Sequence, residues 1–195
     1  MKRSLEFMTL SCITIKVFII VLLYGSSMVI LPAVKTASAA TEQPPISMII
    51  DGDLSPNIPS NFRIANEGIE NQKMGKITLE KRDDGKLYVN GREVVRYLSS
   101  RQKDGGSVQG NEIRSELNGK QVLNACVMDA LLEHSQFIPD EWKTGFTFFW
   151  GTIFHADDGS LNIECLKWDE KWYHYYISFN ESWHSDDSAA VLASN

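Results

Sequence analysis

The sequence predicts an all-β protein, a β-sandwich or jelly roll, that follows an N-terminal signal peptide. Three observations carry that reading. Residues 76–90 alternate polar and apolar on either side of Asp83-Asp84-Gly85, which gives both the period and the turn of a β-hairpin. The last third of the chain is aromatic and β-prone in short runs separated by turn residues. The first 39 residues have the layout of a secretory leader.

The leader has a basic start (Lys2, Arg3), an apolar run from Val17 to Leu31, Pro32, and small residues at Ala37-Ser38-Ala39. That is the order a signal peptidase reads, with cleavage expected after Ala39. The alternative is an uncleaved anchor, but Gly25-Ser26-Ser27 interrupts the run, which is short for a span of roughly 20 residues. The organisation expected is therefore a signal peptide at 1–39, a linker and first strand at 40–75, and a β-sandwich at 76–195. The working protein is expected outside the cytoplasm, extracellular or periplasmic, with no membrane association once cleaved.

Cleavage shifts the net charge from −6 to −9, because Lys2, Arg3, Lys16 and Lys35 leave with only Glu6. An acidic chain of this kind argues against nucleic acid as a partner. It leaves room for an acidic polysaccharide held by a local basic patch. Cys126 and Cys165 remain, compatible either with one disulfide in an oxidising compartment or with two buried thiols. No CxxC or CxxH spacing is present, and Asp51/Asp53, Asp83/Asp84 and Asp157/Asp158 read as ordinary turn aspartates. No metal and no cofactor is expected.

Along the chain, Ile46 to Ile50 reads as a first strand ended by Asp51-Gly52-Asp53, and residues 54–61 as a Pro/Asn-rich loop. The hairpin follows. After a Gly-rich loop at 105–110, Glu112 to Leu117 reads as a strand with charge on one face. Between Gln121 and Phe137, Val122, Leu123, Cys126, Val127, Ala130 and Leu131 fall at helical spacing, so pattern alone favours an amphipathic helix. Phe146 to Trp150, Leu161 to Trp168 and Trp172 to Ile177 complete the strands.

Arg114-Ser115-Glu116-Leu117, read as a strand, puts Arg114 and Glu116 on one face. A solvent-facing ion pair, worth at most about 1 kcal/mol, would explain the same pattern. His155 follows Ile153-Phe154 at a strand end. Alternation sets Trp172, His174 and Tyr176 on one face of their strand and Tyr173 and Tyr175 on the other. Trp150, Trp168, Trp172, Tyr173 and Tyr175 are candidates to stack on sugar rings, although core packing would use the same residue types.

The Arg-Ser-Glu-Leu strand, the segment Phe137-Ile138-Pro139-Asp140-Glu141-Trp142 and the strand ending at His155 together resemble the polysaccharide lyases of concanavalin-like β-jelly-roll fold. The alginate- and glucuronan-lyase groups belong there. The likeness covers roughly residues 110–180, with Ile153 where that group carries glutamine, and the chain reads as a shortened member. The resemblance implies that Gln121–Phe137 is mainly strand. It also implies β-elimination from a uronate: a cation neutralises the carboxylate, a base removes the adjacent proton, and an acid protonates the leaving oxygen. Arg114 would then neutralise, Glu116 would orient it, and His155 would be the base, with Tyr173, Tyr175 or Tyr176 as the acid. Trp150, Lys167, Trp168 and Trp172 would bind substrate. The partner implied is an acidic polysaccharide or another glycan, either cleaved or, in a non-catalytic sandwich, only bound. A small exported structural or interaction protein is the remaining alternative.

Overall fold

The structure is a computed structural model that describes residues 45–65 and 72–194. The signal peptide expected at 1–39 lies outside the described residues. The all-β, sandwich-type class holds: the described chain is mostly strand, built on a mixed nine-stranded sheet.

β1 (Ile46–Asp51) pairs antiparallel with β3 (Lys76–Lys81), so the first strand belongs to the same sheet as the hairpin. β3 and β4 (Leu87–Val89) form that hairpin, with Leu79 opposite Val89. Gly85 takes φ +77° in the turn, a conformation favourable to glycine. β5 (Arg92–Tyr97) continues the meander. α1 (Ser100–Lys103) follows, closed by a Ser99/Gln102 capping box, and then comes β6 (Val108–Gln109).

Two expected strands are helices. Glu112 to Leu117 lies in α2 (Gly110–Leu117), where the Glu112 carboxylate accepts the Gln109 N–H at 3.3 Å, as a capping box requires. Ile113 and Leu117, four residues apart, are the buried face. Arg114 and Glu116 therefore do not share a face. Within Gln121–Phe137 the implied strand is absent: Val122 makes an isolated bridge to Val191, and α3 (Ala125–Glu133) follows. Asn124 caps α3, accepting from Val127 N at 3.1 Å. Val127, Met128 and Leu131 are buried, so the helical spacing reported the structure and the resemblance did not. The segment Phe137–Trp142 runs through two short 3-10 turns, Ser135–Phe137 and Asp140–Lys143.

The aromatic third forms β7 (Phe146–Ala156), β8 (Leu161–Asp169) and β9 (Lys171–Ser178), joined as antiparallel neighbours. β2 (Phe62–Ile64) pairs with the far end of β7, and β10 (Ser182–Trp183) with β6. β11 (Asp187–Leu192) is inserted between β5 and β7, parallel to β7. The ladder order β1-β3-β4-β5-β11-β7-β8-β9 leaves β1 and β9 at its two edges.

The sheet has a core on each side, and β7 feeds both. Phe149 packs with Leu166 and with Val127, Met128 and Leu131 of α3. Phe148 and Trp150 pack with Ile163, Trp183 and the Ile113/Leu117 face of α2. Burying one such side chain stabilises the fold by roughly 1.5–3 kcal/mol. The β7–β8 register shifts between Phe148 and Ile153, a stretch that contains Gly151, whose N–H donates to Leu123 O at 2.8 Å. A Cβ on Gly151 would lie 2.9 Å from that oxygen, so glycine lets the entry to α3 rest directly on the strand. Arg96 ties β5 to β11 and to the turn before β7, donating to Ser188 Oγ at 2.6 Å and to Thr144 O at 2.7 Å.

Candidate functional site

The residues expected to act together are distributed over the fold. Arg114 is half-buried on α2, and Glu116 accepts the Tyr97 hydroxyl at 2.7 Å. His155 sits at the end of β7, opposite Arg63 of β2 and Leu161 of β8. Trp150 is fully buried beside Trp183 and Phe179, so it is a core residue and not a groove wall. Trp172 is half-buried against the α3-side core, in edge contact with Trp168. Cys126 and Cys165 are free thiols, and burial raises the pKa of both.

Two groupings do emerge, one on each face of the β8–β9 edge. On the outer face the alternation is as expected. Tyr173 and Tyr175 are 37% and 41% exposed, the only large aromatics among the described residues left so open. Their ring centroids are 6.4 Å apart, and Phe146 meets Tyr175 edge-on at 6.2 Å. Lys167 Nζ lies 4.3 Å from the Phe146 ring and Lys171 Nζ 5.0 Å from the Tyr173 ring. The register explains the strip: Lys167 is opposite both Tyr173 and Phe146, so the four side chains share one face of three neighbouring strands. Around the hairpin end, Lys143 Nζ sits 4.6 Å from the Trp168 ring while paired with Asp140 at 2.6 Å.

On the inner face, Glu164 of β8 is fully buried. His174, opposite Leu166 on β9, brings Nδ1 to 2.7 Å from Glu164 Oε1. Glu164 Oε2 has no hydrogen-bond partner among the described residues. Burial drives the Glu164 pKa from 4.5 to about 7, the nearby Asp129 carboxylate adds to the rise, and the His174 bond offsets part of it. The Tyr176 hydroxyl bears on the same carboxyl but donates its proton to Asn57 O at 3.1 Å. Burial and the Glu164 charge push the Tyr176 pKa upward. Asn57 N–H in turn donates to Asp129 Oδ2 at 2.8 Å, and burial also raises the Asp129 pKa. The loop after β1 is thus strapped over an acid–base cluster of Glu164, His174, Tyr176 and Asp129. A carboxyl that exchanges its proton near neutrality beside an imidazole can take or give a proton.

Tyr176 alone of the sequence candidates falls in this cluster. Glu164 was legible only as a lone charge between Ile163 and Cys165, and Asp129 as an acid on the apolar helix. Among the described residues no three His, Cys, Asp or Glu side chains are placed to hold a metal ion. Fold and site together define a mostly β protein with an aromatic–lysine strip on one face of β8 and β9 and a cluster around the buried Glu164 on the other. No family model, no curated protein and no solved structure matches this chain.

Proposed function

We propose that the protein is an exported glycan-binding β-protein that takes an acidic, uronate-containing polysaccharide on the outer face of β8 and β9. The observation that carries the reading is the strip Tyr173, Tyr175 and Phe146 flanked by Lys167 and Lys171. Aromatic faces stack on the apolar faces of sugar rings, and ammonium groups beside them attract uronate carboxylates. The strip is local, which reconciles an acidic chain with an acidic ligand. Export rests on the leader at 1–39.

Cleavage by β-elimination is the second reading, supported by the Tyr176–Glu164–His174 assembly, which holds a base and an acid of the required kinds. One experiment addresses both. The full chain is run in native gels containing alginate, glucuronan, a glycosaminoglycan or neutral dextran, and the same polymers are followed in solution by near-ultraviolet absorbance. The uronates should retard the protein and dextran should not. Tyr173→Ala with Tyr175→Ala should weaken retardation by roughly tenfold. Equal mobility in every gel sinks the binding reading, and a flat absorbance trace with retained retardation sinks the lyase reading.

A further inference from the structure

We propose that the groove between β1 and α3 is a docking site for an extended, cationic peptide that adds as a strand to the outer edge of β1. The site is distinct from the glycan strip, and the argument does not depend on it.

The strand order leaves β1 with a neighbour only on the β3 side, so along its outer edge alternate N–H and C=O groups pair with no strand among the described residues. Beside it lies a cleft of about 670 Å³, walled by β1 on one side and α3 on the other and closed at one end by residues 54–57. A strand edge next to a helix is the arrangement in which an extended peptide gains main-chain hydrogen bonds from the strand and side-chain contacts from the helix.

The side chains specify the occupant. Four of the six large hydrophobic residues exposed among the described residues fall in this one segment: Ile46 at 39%, Ile49 at 73%, Leu54 at 64% and Ile58 at 39%. Ile49 and Leu54 line the cleft, together with Ala130 and Leu132 of α3. Among the described residues the charged groups lining it are Asp51, Asp129 and Glu133, with the His134 imidazole beside them and no Lys or Arg. Lys76, opposite Asp51 in the β1–β3 ladder, and Lys73, which acts on Asp53, are not part of the lining. An apolar floor with an acidic rim selects a peptide that alternates apolar and basic residues, and it repels the uronate polymer proposed for the other face.

The test uses the full chain and a fluorescein-labelled octapeptide of alternating leucine and lysine, read by polarisation. The expected result is saturable binding that weakens with added salt. Ile49→Lys and Glu133→Lys change exposed side chains, so circular dichroism and melting should match the parent while affinity falls at least about tenfold. A leucine–glutamate peptide, or a leucine–lysine peptide N-methylated at alternate residues, should not bind. The proposal is overturned if either control binds as tightly as the parent peptide, or if both variants retain full affinity. It is equally overturned if the full chain is a dimer that Ile49→Lys disperses, since a second copy then owns the edge. Should the variants fail to fold, hydrogen exchange on the unaltered chain decides: the peptide must slow exchange of β1 amides, and unchanged rates refute strand addition.

Discussion

Replacing Glu164 with glutamine should flatten the pH dependence of stability. Glu164 is fully buried, accepts no hydrogen bond at Oε2 among the described residues, and holds its proton up to about pH 7 against 4.5 in its ordinary state. At about 1.4 kcal/mol per pH unit, that difference is worth about 3 kcal/mol. The raised carboxyl sets the sign. Below about pH 4.5 the group is protonated in both folded and unfolded chains and costs nothing extra. Between about pH 4.5 and about pH 7 only the folded chain keeps the proton, so stability falls as pH rises. Above about pH 7 the folded chain must carry a buried carboxylate, and the full penalty applies. Glutamine cannot ionise, and its side-chain oxygen can still accept from His174. Guanidinium unfolding, followed by tryptophan fluorescence at about pH 4.5 and about pH 8, should show the parent losing about 3 kcal/mol more than Glu164→Gln. Burial also raises the pKa of Asp129 and Asp187, and these lose stability in the same direction. Both proteins retain Asp187, which cancels in the comparison, whereas Asp129 is coupled to Glu164 and its repulsion of that carboxylate is part of what the substitution removes. A glutamine variant whose stability falls with pH as steeply as the parent's would refute the reasoning.

Two further substitutions test how the elements are held. Gly145 takes φ +72°, and a Cβ there would lie 2.1 Å from Asp186 O, at the point where β11 begins its parallel pairing with β7. Gly145→Ala should therefore cost about 3 kcal/mol or more in denaturant unfolding, combining left-handed strain with displacement of that junction. Asn124 caps α3 with its oxygen and donates its amide to Gly52 O at 2.7 Å and Gln72 O at 3.0 Å. Asn124→Ala should cost roughly 2–3 kcal/mol by the same measurement, and Asn124→Asp should cost at least as much, because the carboxylate that keeps the cap turns its second oxygen on the Gly52 and Gln72 carbonyls.

What the sequence disclosed depended on how many residues each signal spans. The β3–β4 hairpin and the alternation of β9 are periods sustained over whole strands, and the structure keeps both. The helix at Ala125–Glu133 was equally legible, through Val127 and Leu131 four residues apart. A period sustained over nine residues is stronger evidence than a four-residue motif, and the strand that the resemblance implies there is absent. β11 was not legible, since Ser188-Ala189-Ala190-Val191 lacks alternation; a central strand buried on both faces has no reason to alternate. The acid–base cluster was hidden for a different reason. Glu164, Asp129 and Asn57 come from a strand, a helix and a loop whose meeting depends on α3 lying across the inner face of β8 and β9.

Arg114-Ser115-Glu116-Leu117 shows the limit most sharply. Four residues with charges two apart satisfy a strand with one charged face. They satisfy equally a helix whose apolar positions lie just outside the window, and only Ile113, four residues before Leu117, separates the two. Read with Ile113, the segment is a helix by its own burial pattern, and Arg114 and Glu116 fall about 200° apart around its axis. A pair so placed cannot act as neutraliser and orienting partner on one substrate carboxylate. Any elimination chemistry in this fold would therefore need its cation from elsewhere, and Lys167 and Lys171 cannot supply it to the Glu164–His174–Tyr176 assembly, because they stand beside the exposed tyrosines on the opposite face of β8 and β9.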